Sequence, residues 1–201
     1  ASMYSEEVRD DKALSAYYAA YTQGLVTRET EMVMLSQRLL NAEVPYEAAM
    51  VLEEGFEKGM VEKNEEHLKL LAQAYTMAQE MDEAIDAWRA ATKFAEDGEL
   101  HLRLAQALSR QDRHKEAIDA YRDALDKGDL RDVYDTQFWL GISLMQLERW
   151  DEATTAFREA AKDDEIEKRA RQYIRYIDGE KRRQAELKAM LGQRSPQPAS
   201  S

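Results

Sequence analysis

Three histidines, His67, His101 and His114, are the side chains best suited to metal ligation or proton transfer, and they fall far apart along the chain. Their separations match no ligand spacing, so they read as surface or packing residues. The forty Asp and Glu include the adjacent pairs Glu53-Glu54 and Glu65-Glu66, which could in principle act as general acid and base. In so acidic a chain, solvated helix faces are the better reading. There is no cysteine, no Gly-x-Ser-x-Gly elbow and no glycine loop that could cradle a phosphate. No catalytic residue, cofactor or metal is assigned, which leaves recognition.

Recognition has better candidates. Gln37, Gln73 and Gln106 each directly follow a small residue, Ser36, Ala72 or Ala105. A carboxamide both donates and accepts, so a ladder of them could pair with the backbone of an extended peptide without fixing its sequence. Asn41, Lys69, Thr76, Arg103 and Arg110 share the expected face. Lys69, Arg103 and Arg110 could hold an acidic peptide loosely. Phe138 and Ile142, beside Trp139, would make one end of the groove apolar, and aromatics of this kind are enriched at interface cores.

The elements that must position these residues repeat. From Glu65 to Gly98, Leu68, Leu71, Ala72 and Tyr75 recur at three- and four-residue spacing, the period of one helix face. After a break, Ala84, Trp88 and Ala91 do the same. This predicts a helical hairpin, and its template returns along the chain. The small residue opening each second helix falls at Ala13, Ala48, Ala84, Ala117 and Ala153, spaced 33 to 36 residues apart. A large residue follows four positions later each time: Tyr17, Leu52, Trp88, Tyr121 or Phe157. The small residue lets two helices approach and the large one fills the space between hairpins. Pro45 suits the first turn of a helix, where its missing N–H costs nothing. Gly24, Gly59, Gly98 and Gly128 are expected to close second helices in the left-handed conformation.

This pattern resembles the tetratricopeptide repeat, with four full units and one half unit over about residues 4–161. The resemblance implies an all-α fold, a right-handed superhelix (an α-α solenoid) whose inner groove is lined by first helices. Gly55 departs from the alanine usual at its position. The units are expected at 29–61, 64–98, 98–130 and 133–164. Residues 1–28 read as the second helix of a truncated repeat, so the chain is expected to be a piece of a longer protein. Residues 165–191 read as a C-terminal capping and basic helix, weakened at Asp178-Gly179, and 192–201 as a disordered tail.

The net charge of −12 argues against nucleic acid, whose phosphates require a positive footprint. No apolar run approaches the ~18 residues of a membrane span. Charge is segregated: residues 166–201 hold nine basic and four acidic residues, the rest 19 and 36. A weak homo-oligomer using the C-terminal helix is the alternative to a peptide-binding scaffold; a regulatory part of a longer protein is another. Segments 19–37, 44–59 and 170–184 further resemble the tetratricopeptide component encoded with TonB–ExbB–ExbD systems of gammaproteobacteria. That resemblance implies a periplasmic accessory of TonB-dependent iron or haem uptake, with TonB, ExbB or ExbD as partners and a cytoplasmic location as the alternative.

Overall fold

A computed structural model describes the backbone of residues 2–193 and the side chains of residues 12–191. Every regular element among them is helical: α1 (Ser2–Thr22), α2 (Glu29–Asn41), α3 (Pro45–Glu57), α4 (Glu65–Ala78) and α5 (Met81–Ala91). There follow α6 (Glu99–Arg110), α7 (His114–Lys127), α8 (Val133–Gln146), α9 (Trp150–Ala160) and α10 (Asp164–Gln193). The all-α solenoid class expected from the repeats is the class observed. The chain forms two compact units, Ala1–Ala107 and Leu108–Ser201, with the division inside α6.

Within each unit the hairpins form where small residues permit close approach. Ala48, Ala84, Ala117 and Ala153 are fully buried, and Leu52, Trp88, Tyr121 and Phe157 are buried beside them. Ala13 departs from this set and is exposed. Tyr17 and Tyr21 instead tie α1 to its neighbours: Tyr17 donates to the Glu31 carbonyl at 3.3 Å and Tyr21 to the Glu54 carboxylate. Tyr4, the other residue expected to mark this half unit, has a side chain outside the described residues.

First helices are capped by side chains in two units. Asn64 accepts from the backbone N–H of His67 at 2.9 Å, and Asp132 from that of Asp135 at 2.8 Å. Pro45 occupies the first turn of α3. Each hairpin turn contains one non-glycine residue in the left-handed region: Glu43, Gln79, Asp112 and Glu148. Of the four, only Asp112 is of a residue type enriched at positive φ, so residue type does not mark these turns.

Two glycines are packing residues. A Cβ on Gly55 would lie 2.5 Å from the Val61 side chain, and one on Gly141 would lie 2.8 Å from the Phe157 ring. The departure from alanine at Gly55 is thereby explained. Gly24, Gly59 and Gly128 have positive φ, although Gly128, at φ 77° and ψ −160°, closes α7 outside the left-handed helical region expected of it. Gly98 corrects the expectation. It does not close α5, which ends at Ala91 and runs into a 3-10 turn over Thr92–Phe94. Gly98 instead starts α6, its carbonyl accepting from Leu102 at 2.9 Å.

The last helix is continuous through Asp178-Gly179, where a weakening was expected, and its backbone stays helical to Gln193. Its first half covers the final hairpin. Ile166, Ala170 and Ile177 are buried, and Tyr173 stacks on Phe157 at 5.1 Å with the planes only 10° apart. The remainder of the expected tail, 194–201, lies outside the described residues.

Candidate functional site

In the first unit the polar faces of α2 and α4 enclose a recess of about 300 Å³, lined by Gln37, Glu65, Glu66, Lys69, Leu70 and Gln73. Its position follows from the repeat. Leu35, Ser36 and Leu39 of α2 and Leu68, Leu71 and Ala72 of α4 are buried, so the residues between them are turned outward on neighbouring helices. Ser36 satisfies its buried hydroxyl by donating to the Ala48 carbonyl at 2.9 Å. That bond locks α2 to α3 and fixes the direction of the adjoining Gln37.

Two of the three ladder amides, Gln37 and Gln73, are therefore brought together, with the Lys69 ammonium between them in sequence. Gln106 is half-buried on α6 and does not line the recess. Asn41, the last residue of α2, is exposed. Arg103 is exposed on α6, and Arg110 falls in the second unit. The cationic trio expected around an acidic peptide is thus replaced, at this recess, by one ammonium and two carboxylates. Glu65 and Glu66 open the first turn of α4, where the helix dipole favours negative charge. The register that assigns Lys69 and Gln73 also turns Glu66 outward on the same face, where it stays exposed; Glu65, half-buried, stands one turn before Lys69.

Phe138 is a correction, and the half-buried Thr76 is shared with the hairpin core. The Thr76 hydroxyl donates to the Ala72 carbonyl at 2.6 Å and accepts the Trp88 indole N–H at 3.3 Å. It serves the hairpin core. Phe138, expected in an apolar groove end, is only 4% exposed. It meets Phe157 and Tyr173 edge-on, each at 5.5 Å, and the Arg169 guanidinium lies 4.6 Å from its ring centre. These three residues come from the second unit's helices α9 and α10, which local spacing could not reveal. Ile142 is half-buried, and Trp139 is 40% exposed with its indole donating to Asp135 at 3.0 Å.

One of the three histidines braces a turn. His67 is buried, and its Nδ1 donates to the Glu62 carbonyl at 2.8 Å, bracing the turn before α4. Among the described residues no group of three or more His, Asp or Glu is placed to hold a metal ion. No described helix is long and apolar enough to cross a membrane. The titratable shifts are those of ion pairs and burial. Hydrogen bonding by Lys58, then by Tyr21, holds the Glu54 carboxyl below its ordinary range, and the Arg149 guanidinium does the same to Glu152. Burial, followed by the Glu53 charge, raises the Tyr75 phenol.

The tetratricopeptide repeat family model matches residues 71–132 and 102–166. Among solved structures, the chain is similar to a crystal structure of MamA at 19% identity, covering 82% of this chain and 94% of that one, with a TM-score of 0.64. MamA AMB-1 matches at 22% identity over 79% and 93% of the two chains, with a TM-score of 0.60. Residues 41 to the end of MamA from Desulfovibrio magneticus RS-1 match at 18% identity over 83% and 97%, with a TM-score of 0.62. At these identities the likeness is one of fold. No curated protein matches the sequence.

Proposed function

We propose that this tetratricopeptide-repeat protein is a non-catalytic scaffold that holds an extended segment of a partner protein against α2 and α4. The observation that carries the reading is the recess where Gln37, Lys69 and Gln73 converge. Its two amides offer donors and acceptors to a peptide backbone, while Lys69 with Glu65 and Glu66 offers both signs of charge. A recess with two carboxylates and one ammonium has no net positive field. Its net charge is negative, so the partner segment is neutral or basic, not an acidic tail.

The narrower reading is a periplasmic accessory of TonB-dependent uptake, and it rests on the resemblance of segments 19–37, 44–59 and 170–184. Periplasmic segments of TonB and ExbD are the first candidates to titrate, with fluorescence anisotropy as readout. Each lost hydrogen bond is worth about 0.5–1.5 kcal/mol, so Gln37→Ala/Gln73→Ala should weaken binding roughly 5- to 150-fold. Gln106→Ala, outside the recess, should leave affinity within about twofold. Equal affinity of the wild type and the double variant for a bound segment would overturn the recess as the site.

A further inference from the structure

The far end of α10 carries a helical face that no described residue covers. Leu187, Met190 and Leu191 are 57%, 63% and 59% exposed. Their spacing of three and four residues sets them on one side of the helix, flanked by the cations Arg182, Arg183 and Lys188. The last tie between α10 and the hairpin before it is the ion pair of Lys181 with Asp151. From residue 181 to residue 191 every side chain is exposed.

The first unit contains the chemical complement of that face. A recess of about 350 Å³ between α3, α4 and α5 has an apolar floor of Phe56, Leu68, Leu71, Ala87 and Ala90. Four carboxylates, Glu53, Glu57, Glu83 and Asp86, rim it, against the single cation Lys63. Lys63 lies over the Phe56 ring at 5.5 Å from its centre. This recess is distinct from the Gln37–Gln73 recess, being built on the second helices α3 and α5.

We propose that the recess between α3 and α5 receives the 182–191 end of α10 from a second copy of this chain. Leu187, Met190 and Leu191 meet the apolar floor, and Arg182, Arg183 and Lys188 meet the acidic rim. Charge complementarity selects the occupant: the acidic rim requires a basic amphipathic helix, and the chain exposes one. Donor and acceptor are different surfaces, so each copy that donates still has its own recess open. Such head-to-tail contacts propagate into chains or rings instead of stopping at a dimer.

The test is charge swapping in the full chain, read by sedimentation velocity from about 10 µM to about 1 mM. The wild type should more than double its weight-average mass across that range and lose the increase in about 0.5 M salt. Arg182→Glu/Arg183→Glu/Lys188→Glu alone, and Glu57→Lys/Asp86→Lys alone, should both remain monomeric. Mixed one to one, the two variants should associate again, since each then meets its complement. All five substitutions lie at exposed positions, and unchanged circular dichroism melts verify the fold. A wild type that stays monomeric, a single variant that associates like the wild type, or a mixture that fails to associate would overturn the proposal.

Discussion

A single Cβ decides much of the packing in the second unit. Gly141 on α8 faces the Phe157 ring so closely that an added Cβ would sit 2.8 to 3.0 Å from three ring atoms. The ring cannot retreat, because Tyr173 stacks on it and Phe138 meets its edge. Gly141→Ala should therefore lose about 1–3 kcal/mol to overpacking, more than the roughly 1 kcal/mol that alanine contributes to helix propensity. In a Phe157→Leu background the clash has no ring to meet, and the same substitution should turn neutral or stabilising. A double-mutant cycle in urea gives the coupling directly. The small-then-large spacing of Ala153 and Phe157 placed the ring in the core but did not pair it with Gly141, which lies on another helix. It did not reveal Thr76, whose hydroxyl looks free on a helical wheel and proves to be engaged by Trp88.

At the scale of elements, α10 divides into a packed half and a solvated half without any break in the helix. Ile177 is fully buried whereas Leu187 is mostly exposed. Truncating the first, Ile177→Ala, should cost about 2–5 kcal/mol; Leu187→Ala should stay within about 0.5 kcal/mol at dilute protein. Urea melts of the two variants compare them, and similar losses would contradict the division. The apolar periodicity of Ile166, Ala170 and Ile177 announced the capping half. That Phe138 lies beneath it was hidden, because the residues covering it, Tyr173 and Arg169, are contributed from 30 or more positions away.

The junction of α7 with α9 carries a pH dependence. Glu152 accepts from Arg149 at 2.7 Å within α9's first turn and pairs with Arg122 of α7 at 2.7 Å. Its folded carboxyl is held below the ordinary value of 4.5, chiefly by the Arg149 hydrogen bond. A lowered carboxylate contributes stability that is present above the unfolded value and is lost as pH falls through the folded one. Wild-type stability should thus fall more steeply below about pH 4.5 than that of Glu152→Gln. Thermal melts from neutral pH downward measure the difference, and parallel curves would remove Glu152 from the account. The group is well exposed, so the effect is small and should shrink in salt.

Over the whole molecule, the repeat period told where helices fall and which residues fill the core, since five copies of one pattern average out local noise. The recess was half visible: Gln37, Glu66, Lys69 and Gln73 could be assigned by register, whereas Leu70 and the half-buried Glu65 join its lining only once two helices are set side by side. Register along one helix says which way a residue points, and only a neighbouring helix says what it meets. Phe138 was hidden for the same reason.

Repeat arrays need not unfold all at once, because each hairpin is stabilised chiefly by its neighbours. Trp88, lodged against the Thr76 hydroxyl, lies in the first unit, while Trp139 and Trp150 lie in the second. The chain therefore contains its own optical labels. With Trp139→Phe/Trp150→Phe, indole emission reports the first unit alone; with Trp88→Phe it reports the second. Denaturant midpoints that differ between these two readings would give each half its own melting curve, and coincident midpoints would make the two halves one cooperative block.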